Sequence, residues 1–149
     1  MLQDRLRETL FYALEKSIKT YRQFAQAKIF DAGVDITIDQ WLVLKTLQEN
    51  PDVTLQQIAV LVFKDFASIT RIMQLLVAKG FVRRTRHARD GRRSALALTS
   101  AGKQAIRELE PIIRSNRRYA LRGVDTADVT RAHALLDCIV ANCQPSDSL

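Results

Sequence analysis

The chain has 149 residues, 47% of them hydrophobic, with two cysteines and a formal net charge of +7. This length suits one domain, or one domain with oligomerising extensions; the hydrophobic fraction excludes disorder as the default, and two cysteines are too few for a disulfide framework. No run approaches the ~18 apolar residues of a membrane span, and the N-terminus, MLQDRLRETLFYALEK, lacks the apolar core of a signal peptide, so a cytoplasmic protein without a membrane partner is expected.

In chain order, Gln3 to about Phe30 reads as one long helix, because Leu6, Leu10, Leu14, Ile18, Tyr21 and Ala25 repeat every three or four residues. Such a helix is about 40 Å long. That exceeds the width of a small domain, so part of the stripe is expected to meet another chain or a distant element. Asp31-Ala32-Gly33 ends it. Thr37-Ile38-Asp39-Gln40 predicts a capping box and opens a helix carrying Trp41, Leu42, Leu44 and Leu47. That helix stops at Asn50-Pro51, since the residue before proline resists helical geometry. A second box, Thr54-Leu55-Gln56-Gln57, starts a short helix with Ile58, Ala59, Leu61 and Val62 inward. Asp65 is placed to cap a third helix running to Lys79, with Gly80 at its C-terminal end.

Beyond Gly80 the period changes. Phe81–Arg86 and Ser94–Thr99 read as strands joined by a hairpin, with Asp90-Gly91 as the turn signal. Thr99 or Ser100 then caps a long helix to about Arg122, which Pro111 is expected to bend and Gly123 to end. Asp125 or Thr126 opens a last helix with Val129, Ala132, Leu136, Ile139 and Cys143 inward. Cys138 and Cys143, five apart on that helix, would have Cα atoms about 8–9 Å apart. A disulfide within the chain cannot reach so far. They are expected as buried small hydrophobes, with a redox switch between chains as the alternative.

The charge is concentrated. Lys64, Arg71, Lys79, Arg83, Arg84, Arg86, Arg89, Arg92 and Arg93 are opposed only by Asp65 and Asp90, so residues 64–93 carry the whole +7 and the rest of the chain is neutral. A basic block on a neutral protein is a footprint for a polyanion. Three short helices followed by a hairpin follow the winged helix-turn-helix plan, in which the third helix enters the major groove of double-stranded DNA. On a helical wheel Ile69, Ile72, Met73 and Leu76 share one side; Ala67, Thr70, Arg71, Gln74 and Ala78 lie opposite, with Ser68 on the flank. Polar outer faces are ordinary on amphipathic helices. The hairpin decides between the readings, because six arginines between Arg83 and Arg93 repel one another unless a partner neutralises them. A narrow minor groove does so. The expected recognition residues are therefore Ser68, Thr70, Arg71 and Gln74. The expected wing contacts are Arg84, Arg86, Arg89, Arg92 and Arg93, with Asp90 steadying Arg92 or Arg93.

Phe81-Val82-Arg83-Arg84, Asp90-Gly91-Arg92-Arg93-Ser94 and Leu98-Thr99-Ser100-Ala101-Gly102, in this order and spacing, resemble the MarR family of bacterial transcription regulators. Ser68-Ile69-Thr70-Arg71 is similar to that family's recognition-helix motif, and Gly91 between Asp90 and Arg92 is a departure from its wing pattern. The resemblance covers nearly the whole chain. It implies one domain over 1–149: a winged helix at 37–99, and mainly α-helical dimerisation segments at 1–36 and 100–149. It further implies an obligate homodimer, a palindromic operator, usually repression, and release by a small aromatic or phenolic effector.

Other chemistry is hard to place. His87 lies among arginines and His133 on the last helix, neither with a second ligand at metal spacing. No glycine-rich phosphate loop, nucleophile elbow or carboxylate pair is visible, so neither an enzyme nor a cofactor is expected. Phe11, Tyr21, Phe24 and Trp41 are candidates to line an effector pocket, although aromatic stripes at helical spacing are ordinarily core. The alternatives to a regulator are a winged helix that binds protein and a nonspecific architectural DNA binder. The first would show no steep salt dependence on DNA, and the second no preferred site.

Overall fold

The computed structural model describes residues 2–86 and 94–145. The expected long first helix is broken. A short helix α1, Leu2–Arg7, is followed by Thr9, which starts α2, Leu10–Asp31. Thr9 is the cause: its hydroxyl donates to the Leu6 carbonyl at 2.8 Å and accepts from the Tyr12 N–H at 3.4 Å. A threonine side chain that satisfies free backbone groups in this way ends one helix and caps the next.

Both capping boxes form as read. Thr37 and Gln40 exchange side-chain and backbone hydrogen bonds at the start of α3, Ile38–Glu49, and Thr54 and Gln57 do the same for α4, Leu55–Leu61. Asp65 caps α5, Phe66–Ala78, accepting from the Ser68 N–H at 2.7 Å. Strands β1, Val82–Arg86, and β2, Ser94–Leu98, pair antiparallel with Val82 opposite Leu98 and Arg84 opposite Leu96. The connecting residues 87–93, with the expected Asp90-Gly91 turn, lie outside the described residues. Helix α6, Ser100–Ala120, continues through Pro111, and Thr99 caps it by accepting from the Gly102 N–H at 3.1 Å. Helix α7 spans Thr126–Cys143, and its Asp125 cap makes no side-chain hydrogen bond.

The chain divides into two units, residues 1–116 and 117–149. In the first, α3, α4, α5, the hairpin and the start of α6 share one core. Val43, Leu44, Ile58, Ile69, Met73, Leu76 and Leu109 are fully buried there, joined by Trp41, Val82, Leu96 and Ile106. Burying each such side chain stabilises the unit by about 1.5–3 kcal/mol. Leu61, expected inward, is exposed instead: α4 is only two turns long, and Ile58, Ala59 and Val62 already fill its inner side.

In the second unit α7 has no buried residue. Its expected inward stripe is at most half-buried, and Cys138 and Cys143 are exposed rather than packed as small hydrophobes. Helical spacing makes an apolar face, but only a covering surface buries it. The N-terminal part of the α2 stripe is likewise open, with Leu10 and Ile18 exposed.

Candidate nucleic-acid interface

The helix-turn-helix is formed by α4, the turn 62–65 and α5, and its recognition helix is held at both ends. Before the helix, Lys64 Nζ lies 3.2 Å from Asp39 Oδ2, and the other oxygen of Asp39 takes Arg22. After it, Lys79 Nζ donates to the Asp35 carbonyl at 2.8 Å and lies 3.4 Å from the Asp35 carboxylate. Two charges of the basic block are thus paired with carboxylates elsewhere in the chain, both pairs partly exposed. Lys64 and Lys79 thereby tie both ends of α5 to the segment 35–39. Sequence spacing carries no sign of this, because their partners lie 25 and 44 residues away in the chain.

The free face of α5 is as the wheel placed it. Arg71 and Gln74 are exposed, as are the small Ala67 and Ala78, while Ser68 and Thr70 on the flanks are half-buried. Two of these groups are partly engaged. The Ser68 hydroxyl donates to Asp65 Oδ2 at 3.0 Å, and the Thr70 hydroxyl donates to the Phe66 carbonyl at 2.9 Å. The Arg71 guanidinium approaches the Ser68 oxygen at 3.4 Å, which leans it toward the helix N-terminus. The Ser68 N–H, then its hydroxyl, hold the Asp65 carboxyl below the usual carboxylate range. Asp65 therefore stays ionised as a cap beside the recognition residues.

The hairpin joins this helix through a compact joint. Thr99 donates its N–H to the Phe81 carbonyl at 3.1 Å and its hydroxyl to the Gly80 carbonyl at 2.5 Å. A Cβ on Gly102 would stand 2.2 Å from the Phe81 carbonyl oxygen, so only glycine lets the first turn of α6 close on the base of the wing. On β1, Val82 is buried while Arg83, Arg84 and Arg86 are exposed, and among the described residues no carboxylate pairs with these three. Arg89, Asp90, Arg92, Arg93 and His87 lie outside the described residues. Three exposed arginines without ion pairs among the described residues, on a strand packed against α5, make an electropositive surface of the kind that attracts a polyanion.

The four aromatic pocket candidates do not share one environment. Trp41 belongs to the core, Tyr21 and Phe24 are half-buried, and Phe11 is 63% exposed. One cleft of about 590 Å³ between α2 and the start of α3 is lined by residues such as Arg22, Gln26, Ala27, Phe30, Ile38 and Asp39. Another of about 770 Å³ follows α3 and is lined by residues such as Pro51, Val53, Gln57 and Val60. None of the four candidates lines either. Among the described residues no group of three or more His, Cys, Asp or Glu side chains is placed to hold a metal ion, and no helix is long and apolar enough to cross a membrane.

Helix-turn-helix, tethered recognition helix and arginine-bearing hairpin together define a winged helix-turn-helix of the nucleic-acid-binding class. A sequence profile described as MarR family matches residues 34–93. Among similar proteins, an HTH-type transcriptional repressor, IacR of Pseudomonas putida, is 24% identical over 111 residues, 74% of this chain and 66% of its own length. An HTH-type transcriptional regulator, SarZ of Staphylococcus saprophyticus, is 30% identical over 104 residues, 69% of this chain and 67% of its own. The chain thus spans about two thirds of the length of these relatives. A solved structure of Bordetella bronchiseptica BpsR, a protein whose DNA binding is regulated by 6-hydroxynicotinic acid, superposes with a TM-score of 0.80 at 20% identity, covering 95% of this chain and 96% of that one. The chain belongs to the MarR family of DNA-binding transcriptional regulators.

Proposed function

We propose that this chain acts in the cytoplasm as a homodimeric repressor that binds a palindromic operator and leaves it when a small aromatic or phenolic effector binds. The observation that carries the reading is the polar face of α5, with Arg71 and Gln74 exposed, set beside the exposed Arg83, Arg84 and Arg86 of β1. Ser68, Thr70, Arg71 and Gln74 read base edges in the major groove, Arg71 pairing with guanine and Gln74 with adenine. Arg84, Arg86, Arg89, Arg92 and Arg93 follow the flanking backbone and minor groove.

The dimer is supported by the open apolar side chains of α7, such as Leu135, Leu136 and Val140, and separately by those of α2. Two linked half-sites then bind far better than one. Repression is supported by the description of the Pseudomonas putida relative, and effector control by that of BpsR. Tyr21 and Phe24, half-buried on α2, are the aromatic candidates a planar effector could still reach. The role requires no catalytic residue and no cofactor.

The test is a DNA-binding titration across salt concentrations, with Arg84→Ala and Arg86→Ala beside the unchanged protein. The expected result is weaker binding to every sequence, with the log–log salt slope flattened by about 0.9 for each phosphate that is no longer neutralised. Unchanged affinity and slope would remove the wing from the mechanism.

A further inference from the structure

Phe63 occupies an uncommon position. Helix α4 closes with the Phe63 N–H donating to the Val60 carbonyl and the Lys64 N–H donating to the Ala59 carbonyl, the paired bonds of a left-handed helix end. Such an end requires positive φ at its central residue, and Gly33 and Gly80 fill that place after α2 and α5. After α4 the residue is Phe63, with φ 61°, the one non-glycine residue in that region among those described. A bulky side chain is strained there. Packing does not compensate, because Phe63 is 93% exposed. Three residues on, Phe66 opens the recognition helix and is 51% exposed. Of the two charged residues between them, Lys64 pairs with Asp39, and the exposed Asp65 carboxylate is engaged as the helix cap by Ser68. The exposed groups at this end of α5 thus include two phenyl rings, Phe63 and Phe66, beside the Asp65 cap and Ala67.

A helix-turn-helix presents this end to the duplex, and its recognition helix reads bases mainly through its N-terminal residues. The apolar group that a base edge offers in the major groove is the C5-methyl of thymine, and phenylalanine is among the side chains that pack on it. Phe66, Thr70 and Gln74 follow one another at intervals of four and so share a row along α5. Eight residues put Phe66 and Gln74 about 12 Å apart along the axis, so they meet different base pairs.

Resting on the reading of α5 as the recognition helix, we propose that Phe66 is a specificity-determining residue that packs on one thymine methyl in each half-site. Phe63 braces this contact against the adjoining sugar–phosphate strand, which accounts for a strained, exposed aromatic at the turn. Phe66 adds to the base code a position that Arg71 and Gln74 do not read, and Phe63 adds affinity that is indifferent to sequence.

The experiment takes the site selected by the protein from a random DNA pool and replaces each thymine in turn by deoxyuridine, which removes only the methyl group. Binding is titrated for the unchanged protein, Phe66→Ala and Phe63→Gly. At one thymine position in each half-site, a single replacement should weaken the unchanged protein about fourfold, the worth of one buried methyl. Phe66→Ala, which removes the contact in both half-sites, should bind the parent site at least about sixteenfold more weakly, about fourfold per half-site, and lose nothing further at that position. Phe63→Gly should bind all sites more weakly by one common factor and unfold at a higher temperature, because the backbone strain is relieved. A flat deoxyuridine scan of the unchanged protein, or the same loss at the same thymine in Phe66→Ala, overturns the assignment while DNA binding stands. Failure to select any site would instead strike at the regulator reading itself.

Discussion

Lys64, the residue before the recognition-helix cap, holds the carboxylate of Asp39 at 3.2 Å, and Asp39 also takes Arg22 from α2. One acidic side chain thereby fixes the turn of the helix-turn-helix to two other helices. All three side chains are partly exposed, so each pair is screened by water and contributes modestly. Because they join the turn before α5 to α2 and α3, their removal is expected to act on the placement of α5 more than on stability.

Asp39→Ala should therefore destabilise the protein by about 1 kcal/mol, read from denaturant unfolding. Its affinity for the selected operator should fall more than its affinity for random DNA. An equal loss on both would mean that Asp39 supports folding alone and does not aim the helix.

Gly102→Ala reverses the usual order of helix propensities. Alanine inside a helix is ordinarily better than glycine by about 1 kcal/mol. Here the new Cβ would press on the Phe81 carbonyl, so a loss of about 1–3 kcal/mol is expected in denaturant unfolding. A stabilised Gly102→Ala protein would show that the joint between wing and α6 yields readily to an added methyl group.

Asp65 gives a pH dependence of defined sign. Its folded-state pKa is lowered, first by the Ser68 N–H and then by the Ser68 hydroxyl. A carboxylate with a depressed folded pKa contributes stability above its unfolded value, and this is lost as pH falls through the folded value. The stability gap between the unchanged protein and Asp65→Ala should thus be full at neutral pH. It should close as the medium is acidified below the ordinary carboxylate range. Thermal unfolding at a series of pH values measures it, and a gap that persists in strong acid would contradict the capping role.

Much of this fold is legible in the chain because its signals are local. Thr37 with Gln40, Thr54 with Gln57, Asp65 with Ser68 and Gly80 each act within a few residues, so spacing alone places the helices of the winged domain. The polar face of α5 follows from the same periodicity. Thr9 carries a local signal too, but the continuous apolar stripe across it hides the break between α1 and α2. What spacing cannot carry is long-range pairing. Lys64 and Lys79 read only as basic residues of the block until Asp39 and Asp35 are brought against them by the tertiary fold. The exposure of Cys138 and Cys143 is illegible for a related reason, since an apolar face says nothing of what covers it. Phe63 escapes a reading by spacing because a left-handed helix end is usually announced by glycine.

The most direct measurement for the central claim is selection of bound sequences from a random DNA pool with the unchanged protein, Arg71→Ala and Gln74→Ala. The expected result is one short palindromic consensus for the unchanged protein. In each variant one base pair per half-site should relax, with a fall of about 1–3 kcal/mol in discrimination there. A consensus that both variants leave unaltered would contradict the assignment of base reading to this face of α5.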